Sequence, residues 1–378
     1  MGTPMQSANP YSRLAAPGVP ALHPYVPGKP VSELERELGI RDSIKLASNE
    51  NPLGISPQVQ EVLRGQIGDL ARYPDGGGFA LRQRLAALHG VAAQTITLGN
   101  GSNDVVDLVA RAFLCPGVEA VFSQYAFAVY PISTQAVGAT ARVAPAKNFG
   151  HDLAAMAALV NEQTRVVFIA NPNNPTGTWL GASELRDFIA ALPDWVLVVV
   201  DEAYVEYVQE PDYPDTSRWL GDFPNLIVTR TFSKAYGLAG LRVGYGLANP
   251  QVADLLNRVR QPFNVNSLAL AAAEAALDDP EHLRRSVELN QAGLAQLEAG
   301  LRTLGVDYIP SVGNFITLDL GRPAAPVDQA LLREGCIVRP LANYGMPNHL
   351  RVTVGLAAEN QRFLSALGRV LASSAPLG

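Results

Sequence analysis

Lys234 stands in the run Thr231-Phe232-Ser233-Lys234-Ala235, among small and apolar neighbours. A lysine amine withdrawn from water gives up its proton more readily and can then form a Schiff base with an aldehyde. Asp201 ends the apolar run Val196 to Val200, where a carboxylate requires a cationic partner. Thr231, Ser233 and Arg242 flank the lysine with hydroxyls and a guanidinium, the donors a phosphate needs. Ser102 and Asn103 follow Gly99-Asn100-Gly101 and precede the helical pattern Asp104 to Phe113. A helix N-terminus after a glycine-rich turn is a ready anion site. An aldehyde-binding lysine, a carboxylate for a pyridinium nitrogen and a phosphate cup together describe a site for pyridoxal 5'-phosphate.

These residues sit where strands end. Val166 to Ala170 runs into NPNNPTG at 171–177, Val196 to Val200 into Asp201-Glu202-Ala203-Tyr204, and Leu226 to Thr229 into Arg230 and the lysine block. In open α/β sheets the ligand crevice lies outside the carboxyl ends of the strands. Continuous apolar runs mark strands buried on both faces of a mainly parallel sheet. Further strands are expected at Ala120 to Phe122, Ala141 to Ala144, Arg165 to Ala170 and Val243 to Leu247. Helices are expected at Pro57 to Arg64, Phe79 to Leu88, Leu153 to Val160, Ala182 to Ala191 and Val252 to Arg260. Alternation of this kind argues an α/β layered domain.

The flanks differ in texture. Residues 1–30 are rich in proline and small side chains and read as an extended arm. Ser32 is placed to cap a short helix from Glu33 to Leu38, stopped by Gly39. From Leu268 an Ala/Leu/Glu stretch runs to Leu304, broken at Asp278-Asp279-Pro280. Strands at Phe315 to Leu320 and Leu350 to Val354 and a helix from Glu359 to Ala372 follow, an α+β texture. The expected division is 1–45 for the arm and part of a small domain, 46–270 for a large cofactor-binding domain and 271–378 for the C-terminal small domain.

Composition narrows the function. The chain has 378 residues, a formal charge of −6 and 17% charged residues, so wholesale disorder is excluded and no basic footprint for nucleic acid is present. No apolar run approaches the ~20 residues of a spanning helix, so no membrane partner is expected. The N-terminal residues lack a charged region followed by an apolar one, and Gln6 breaks the myristoylation pattern. Cys115 and Cys336 form neither a disulfide framework nor a metal pair, and read as free thiols of a cytoplasmic enzyme. P-loop, GxGxxG, GxSxG and HExxH motifs are absent, and the five histidines are scattered, so no metal site is expected.

Ten segments carry a wider likeness. They are HPYVPGKP around Tyr25, SNENPLG at 48–54, RYPDGG at 72–77, NPNNPTG, VDEAYVEY at 200–207, TRTFSKAYGLAGLRVGY at 229–245, PFNVN at 262–266, GNF at 313–315, CIVRP at 336–340 and LRVTVG at 350–355. On these, over nearly its whole length, the sequence resembles the fold-type-I pyridoxal-phosphate aminotransferases of class I and II, and within them the histidinol-phosphate branch. The resemblance implies a large α/β domain with a mainly parallel central sheet beside a smaller α+β domain. It implies that Lys234 bears the cofactor, that Asp201 pairs with the pyridine nitrogen, and that Tyr204 and Asn174 hydrogen-bond the ring's phenolic oxygen. Tyr125 matches the aromatic that stacks on the ring. Ser102, Asn103, Thr231, Ser233 and Arg242 match the phosphate-binding set. Tyr73 matches a tyrosine that reaches the phosphate from the neighbouring subunit, which implies a homodimer. Tyr25, Asn174, Arg339 and Arg351 match substrate-binding positions. Asp104 stands where the family commonly has Glu, a departure of little consequence if backbone amides do the binding there.

The implied reaction is a ping-pong transfer of the amino group between L-histidinol phosphate and 2-oxoglutarate, with Lys234 as general acid and base. Aromatic amino-acid aminotransferases share almost every one of these motifs. A phosphothreonine decarboxylase of the same fold and a ligand-sensing regulator built on this fold are the other readings, the last requiring a DNA-binding domain that a proline-rich arm cannot supply. Asn49 and Asn51 read as turn formers, and Tyr344 and His349 carry no assignment.

Overall fold

The computed structural model describes residues 9–25 and 27–373; the opening of the arm and Met1-Gly2 lie outside them. In chain order the strands among these residues are β1 (Ile44–Lys45), β2 (Ile96–Gly99), β3 (Glu119–Ser123), β4 (Thr140–Ala144), β5 (Thr164–Ala170), β6 (Leu197–Asp201), β7 (Leu226–Thr231), β8 (Gly244–Ala248), β9 (Asp307–Ile309), β10 (Phe315–Asp319), β11 (Cys336–Ile337), β12 (Arg339–Pro340) and β13 (His349–Thr353).

The largest sheet has the order β2-β8-β7-β6-β5-β3-β4. Pairing from β4 through β7 is parallel, and β8 joins both its neighbours antiparallel. The apolar runs explain this placement. Along β5, β6 and β7, Val167, Ile169, Val198, Val200 and Val228 enter one core, while Val166, Phe168, Val199 and Ile227 enter the core on the opposite face. With side chains alternating and both faces covered, the central residues of these strands are apolar, and polar residues gather toward their ends. The exit is where Asn171, Asp201 and Ser233 appear, and because the three strands are parallel neighbours, their exits share one edge.

A second sheet, β12-β13-β10-β9, is antiparallel. Its Ile316, Leu318, Leu350 and Val352 pack into a core with Leu297, Leu301, Phe363 and Leu367. The alternate residues therefore face the other way, and register sets Thr317, Arg351 and Arg339 side by side across three strands. A slip of one residue would drive both arginines into that core, so the apolar pattern specifies the register.

The segment before the first large helix belongs with this second sheet. β1 pairs in parallel with β11, and Thr353 donates its backbone N–H to Leu46 O at 2.8 Å. This fastening delivers Ser48 and Asn49 to the edge of the large sheet.

Several boundaries differ from expectation. The short helix spans Val31–Leu38 with Pro30 ahead of it, so Ser32 lies inside the first turn and does not cap it. Proline at that place costs no hydrogen bond, since the first turn leaves its N–H groups unpaired. The helix expected from Asp104 begins at Ser102, preceded by Gly101 at φ 82°. β2 and the helix Val129–Ala136 carry no clear periodicity and escape a sequence reading. No helix among the described residues is long and apolar enough to cross a membrane.

Candidate active site

The edge formed by the exits of β5, β6 and β7 is roofed by the polar face of the second sheet, leaving a cleft. Lys234, Asp201, Tyr204, Asn174, Arg242 and Arg351 all line it, as do Ser102, Asn103, Thr231, Ser233 and Tyr25.

Lys234 follows β7 by three residues, and its Nζ donates to Ser48 O at 3.2 Å. Burial, reinforced by the nearby Arg351 guanidinium, lowers its pKa to about 7. The amine is thus available in neutral form near neutral pH.

Asp201 is the last residue of β6. Its Oδ1 accepts from Thr229 Oγ1 and its Oδ2 from the Tyr130 hydroxyl, both at 2.9 Å. Burial raises its pKa while these two donors oppose the rise. The carboxylate is held by two neutral donors and makes no ion pair among the described residues, though the Lys234 charge lies near enough to favour its ionised form; this suits a positively charged ring nitrogen.

Around the lysine, Tyr204 accepts a hydrogen bond on its hydroxyl from Asn49 Nδ2 at 2.9 Å, and burial raises its pKa. Asn49 is buried with φ 54°, a conformation that asparagine tolerates better than most residues. Its N–H donates to Thr353 Oγ1 at 2.8 Å, and its carbonyl accepts from Asn314 Nδ2 at 3.0 Å. Asn51 donates to Ala235 O at 2.9 Å and Ser286 Oγ at 2.8 Å. These two asparagines are more than turn formers: they join the second sheet and the helix Pro280–Leu304 to the lysine loop. Arg351 donates to Asn174 Oδ1 and, at 2.9 Å, to Ala47 O, while its buried Nε has no partner. That spare donor is ready for an anion.

The far end of the cleft is a cup. A Cβ on Gly101 would fall 2.4 Å from Arg242 Nη2, and one on Gly244 would fall 2.4 Å from Ser102 N. Only glycine permits backbone and guanidinium to approach so closely. Arg242 Nη1 donates to Ser233 Oγ at 3.3 Å, and Thr231 Oγ1 accepts from Ser233 N at 3.1 Å. Hydroxyls, a guanidinium and the N-terminus of the helix Ser102–Phe113 converge on one space, the donor set of a phosphate site.

Three expected residues are placed differently. Phe127, and not Tyr125, is the aromatic of its loop that lines the cleft. Asn173 Nδ2 holds the Tyr125 carbonyl at 2.9 Å, and the Tyr125 ring lies 5.8 Å from that of Phe149. Arg339 lies one strand beyond Arg351, its guanidinium 5.5 Å from the Tyr25 ring. Tyr73 is 82% exposed and stacks on Phe263 at 4.6 Å, away from its own chain's cleft. Residues that sequence reasoning missed are Tyr130, Thr229 and Ser48; the last two open segments that carry the likeness, but only the fold shows what they touch, and nothing in the local sequence marks Tyr130.

Comparison with known proteins agrees with this geometry. The family model described as aminotransferase class I and II matches residues 41–367. Histidinol-phosphate aminotransferase 2 of Pseudomonas fluorescens strain Pf-5 is 66% identical, covering 95% of this chain and 98% of that one. The protein of the same name from Methylococcus capsulatus is 63% identical with the same coverage. The crystal structure of histidinol-phosphate aminotransferase from Sinorhizobium meliloti in complex with pyridoxal-5'-phosphate superposes with a TM-score of 0.88 at 30% identity, covering 95% of this chain and 98% of that one. The chain belongs to the class I and II aminotransferases.

Proposed function

We propose that this protein is a pyridoxal-phosphate-dependent histidinol-phosphate aminotransferase, moving an amino group between L-histidinol phosphate and 2-oxoglutarate in L-histidine biosynthesis. The observation that carries the substrate is the pairing of Arg339 with Arg351 across β12 and β13, both buried. Like charges placed directly opposite repel, and a phosphate between them turns that repulsion into two charge-assisted contacts.

The cleft suits the cofactor on its own chemistry: a glycine-walled cup beside Arg242, a buried carboxylate held by two neutral donors, and a lysine whose pKa is lowered to about 7. When bound, pyridoxal phosphate supplies an aldehyde carbon and a ring that withdraws electrons from the substrate Cα. Ser102, Asn103, Thr231, Ser233 and Arg242 hold the phosphate. Asp201 keeps a proton on the ring nitrogen. Tyr204 and Asn174 would orient the ring oxygen, and Phe127 would close the aromatic side. Lys234 would hold the aldehyde carbon through its Nζ, and the same Nζ, when free, is the base placed to take and return the substrate's Cα proton. Arg351 and Arg339 hold the phosphate of histidinol phosphate, Arg351 alone takes the α-carboxylate of glutamate, and Tyr25 packs beside them.

Tyr73 completes the phosphate site of a second copy, so the working unit is a homodimer. The exposed Tyr73–Phe263 stack supports this, since large apolar groups displayed together mark contact surfaces. We divide the chain at about residues 45 and 270, with the large-sheet core running on through Ala276 and the second core taking in Leu46, and place the enzyme in the cytoplasm.

The test is stoichiometric. Supplied with pyridoxal phosphate, the purified protein is expected to consume L-histidinol phosphate and 2-oxoglutarate one for one while forming glutamate. Turnover of phenylalanine without turnover of histidinol phosphate would make it an aromatic amino-acid aminotransferase instead.

A further inference from the structure

The loop that carries Tyr73 is tied to the phosphate cup of its own chain through side chains with no assigned role. Arg260 follows the helix Pro250–Val259. Its Nη2 donates to Gly76 O at 2.9 Å and its Nη1 to Asn264 Oδ1 at 2.7 Å. Asn264 Nδ2 in turn donates to Asp104 Oδ2 at 2.7 Å and Leu98 O at 3.0 Å. The same Asp104 oxygen accepts from Asn100 N at 2.8 Å. Asp104 lies in the first turn of the helix that forms the cup, and Asn100 O accepts from Arg242 at 3.4 Å.

Phe263, between Arg260 and Asn264, has φ 57°. An aromatic residue holds that strained conformation only where its surroundings over-determine it. Here those surroundings are the Arg260–Asn264 bond, the Tyr73 stack, and Gly76, where a Cβ would stand 3.2 Å from the Phe263 ring. Tyr73 is exposed and covalently remote from the cup, so its height over the surface depends on these contacts.

We propose that Arg260 is a positioning residue for the cofactor site of the partner subunit: it fixes the loop at Gly76 and, through Asn264 and Asp104, sets Tyr73 against the same helix terminus that builds its own chain's cup. The proposal rests on the reading that Tyr73 serves a second copy. It gives the bond from Asn264 Nδ2 to Asp104 Oδ2 a use in register.

Hybrid dimers test it. One chain carries Lys234→Ala, so the only site able to hold cofactor covalently uses the other chain's lysine and this chain's Tyr73. Occupancy is read by borohydride trapping across a pyridoxal phosphate titration. Tyr73→Ala added to the Lys234→Ala chain is expected to raise the midpoint. An unmoved midpoint would sink the dimeric reading, and the proposal with it. Given that rise, Arg260→Gln on the Lys234→Ala chain is expected to raise the midpoint about tenfold, and on the lysine-bearing chain less than about threefold. Equal shifts in the two arrangements, or a shift only on the lysine-bearing chain, would overturn the proposal and leave the role of Tyr73 standing. If the Gln variant fails to assemble, Arg260→Lys, which keeps one charged donor, is expected to show a smaller shift with the same asymmetry. Its absence would equally overturn the proposal.

Discussion

Arg339 and Arg351 lie directly opposite each other on adjacent antiparallel strands, and both are buried. Two guanidiniums in this relation serve a substrate with a dianionic group better than one with a single carboxylate. Arg339→Ala is therefore expected to cost about 2–5 kcal/mol in kcat/KM for histidinol phosphate, the range for losing a charge-assisted contact in a closed site. For phenylalanine the loss is expected to be small. Equal small losses for both would make Arg339 a structural residue.

Lys234 sets a pH dependence. Its pKa in the folded chain is lowered to about 7 from an ordinary 10.5, chiefly by burial. Covalent capture of cofactor by the apoprotein should rise as pH climbs through about 7 and then level off. Capture that keeps climbing toward 10.5 would contradict this assignment. The stability sign follows from the same shift. Between these two values the unfolded chain binds the extra proton, so apoprotein stability gains with rising pH relative to Lys234→Met, and the gap between them is constant below about 7. Parallel stability curves for the two proteins would be the contrary result.

Asp201 acts through its charge. Asp201→Asn keeps the shape and a hydrogen-bond acceptor but cannot hold a proton on the ring nitrogen. It is expected to bind cofactor and to lose at least about a hundredfold in kcat, comparable to removing a preorganised electrostatic contact. Tyr130→Phe removes one of the two donors on the carboxylate and should cost about 1–3 kcal/mol in kcat/KM. Activity of Asp201→Asn within about tenfold of wild type would dismiss the role.

Asn49 acts through Tyr204. Asn49→Ala loses the donor to the Tyr204 hydroxyl and sets alanine at φ 54°. Stability should fall by about 1–3 kcal/mol, measured by denaturant unfolding of the apoprotein. The loss of kcat should be largely absent when Asn49→Ala is made in a Tyr204→Phe background. Additive losses would show that Asn49 acts on the reaction by another route.

Much of the site is legible in the primary structure because its parts lie where an apolar run stops. Asp201 ends and Lys234 follows a strand buried on both faces, where a charge calls for a reason; their neighbours Glu202 and Arg230 find theirs in an ion pair with each other. The parallel core follows from the same runs. Tyr130 and Asn49 are not legible because their meaning lies in partners 71 and 155 residues away. The turn reading of Asn49 explains its backbone angle and misses the direction of its amide. In the loop at 125–127, two aromatics alternate with alanine, so periodicity places both on one side without saying which lines the cleft; the fold gives that place to Phe127 and sets Tyr125 against Phe149. The cap at Ser32 fails for a simpler reason, since Pro30, two residues earlier, already takes the N-cap position of a helix that starts at Val31.

The central claim is that this aminotransferase cleft is built for an amine bearing a phosphate. The measurement is a single half-reaction: cofactor-loaded enzyme mixed rapidly with L-histidinol phosphate or with phenylalanine, the change in cofactor absorbance being followed without any acceptor. The account predicts conversion by histidinol phosphate at least about a hundredfold more efficient than by phenylalanine, as expected when an anion-holding pair is left empty by the wrong substrate. Conversion by phenylalanine at equal or greater efficiency would contradict it.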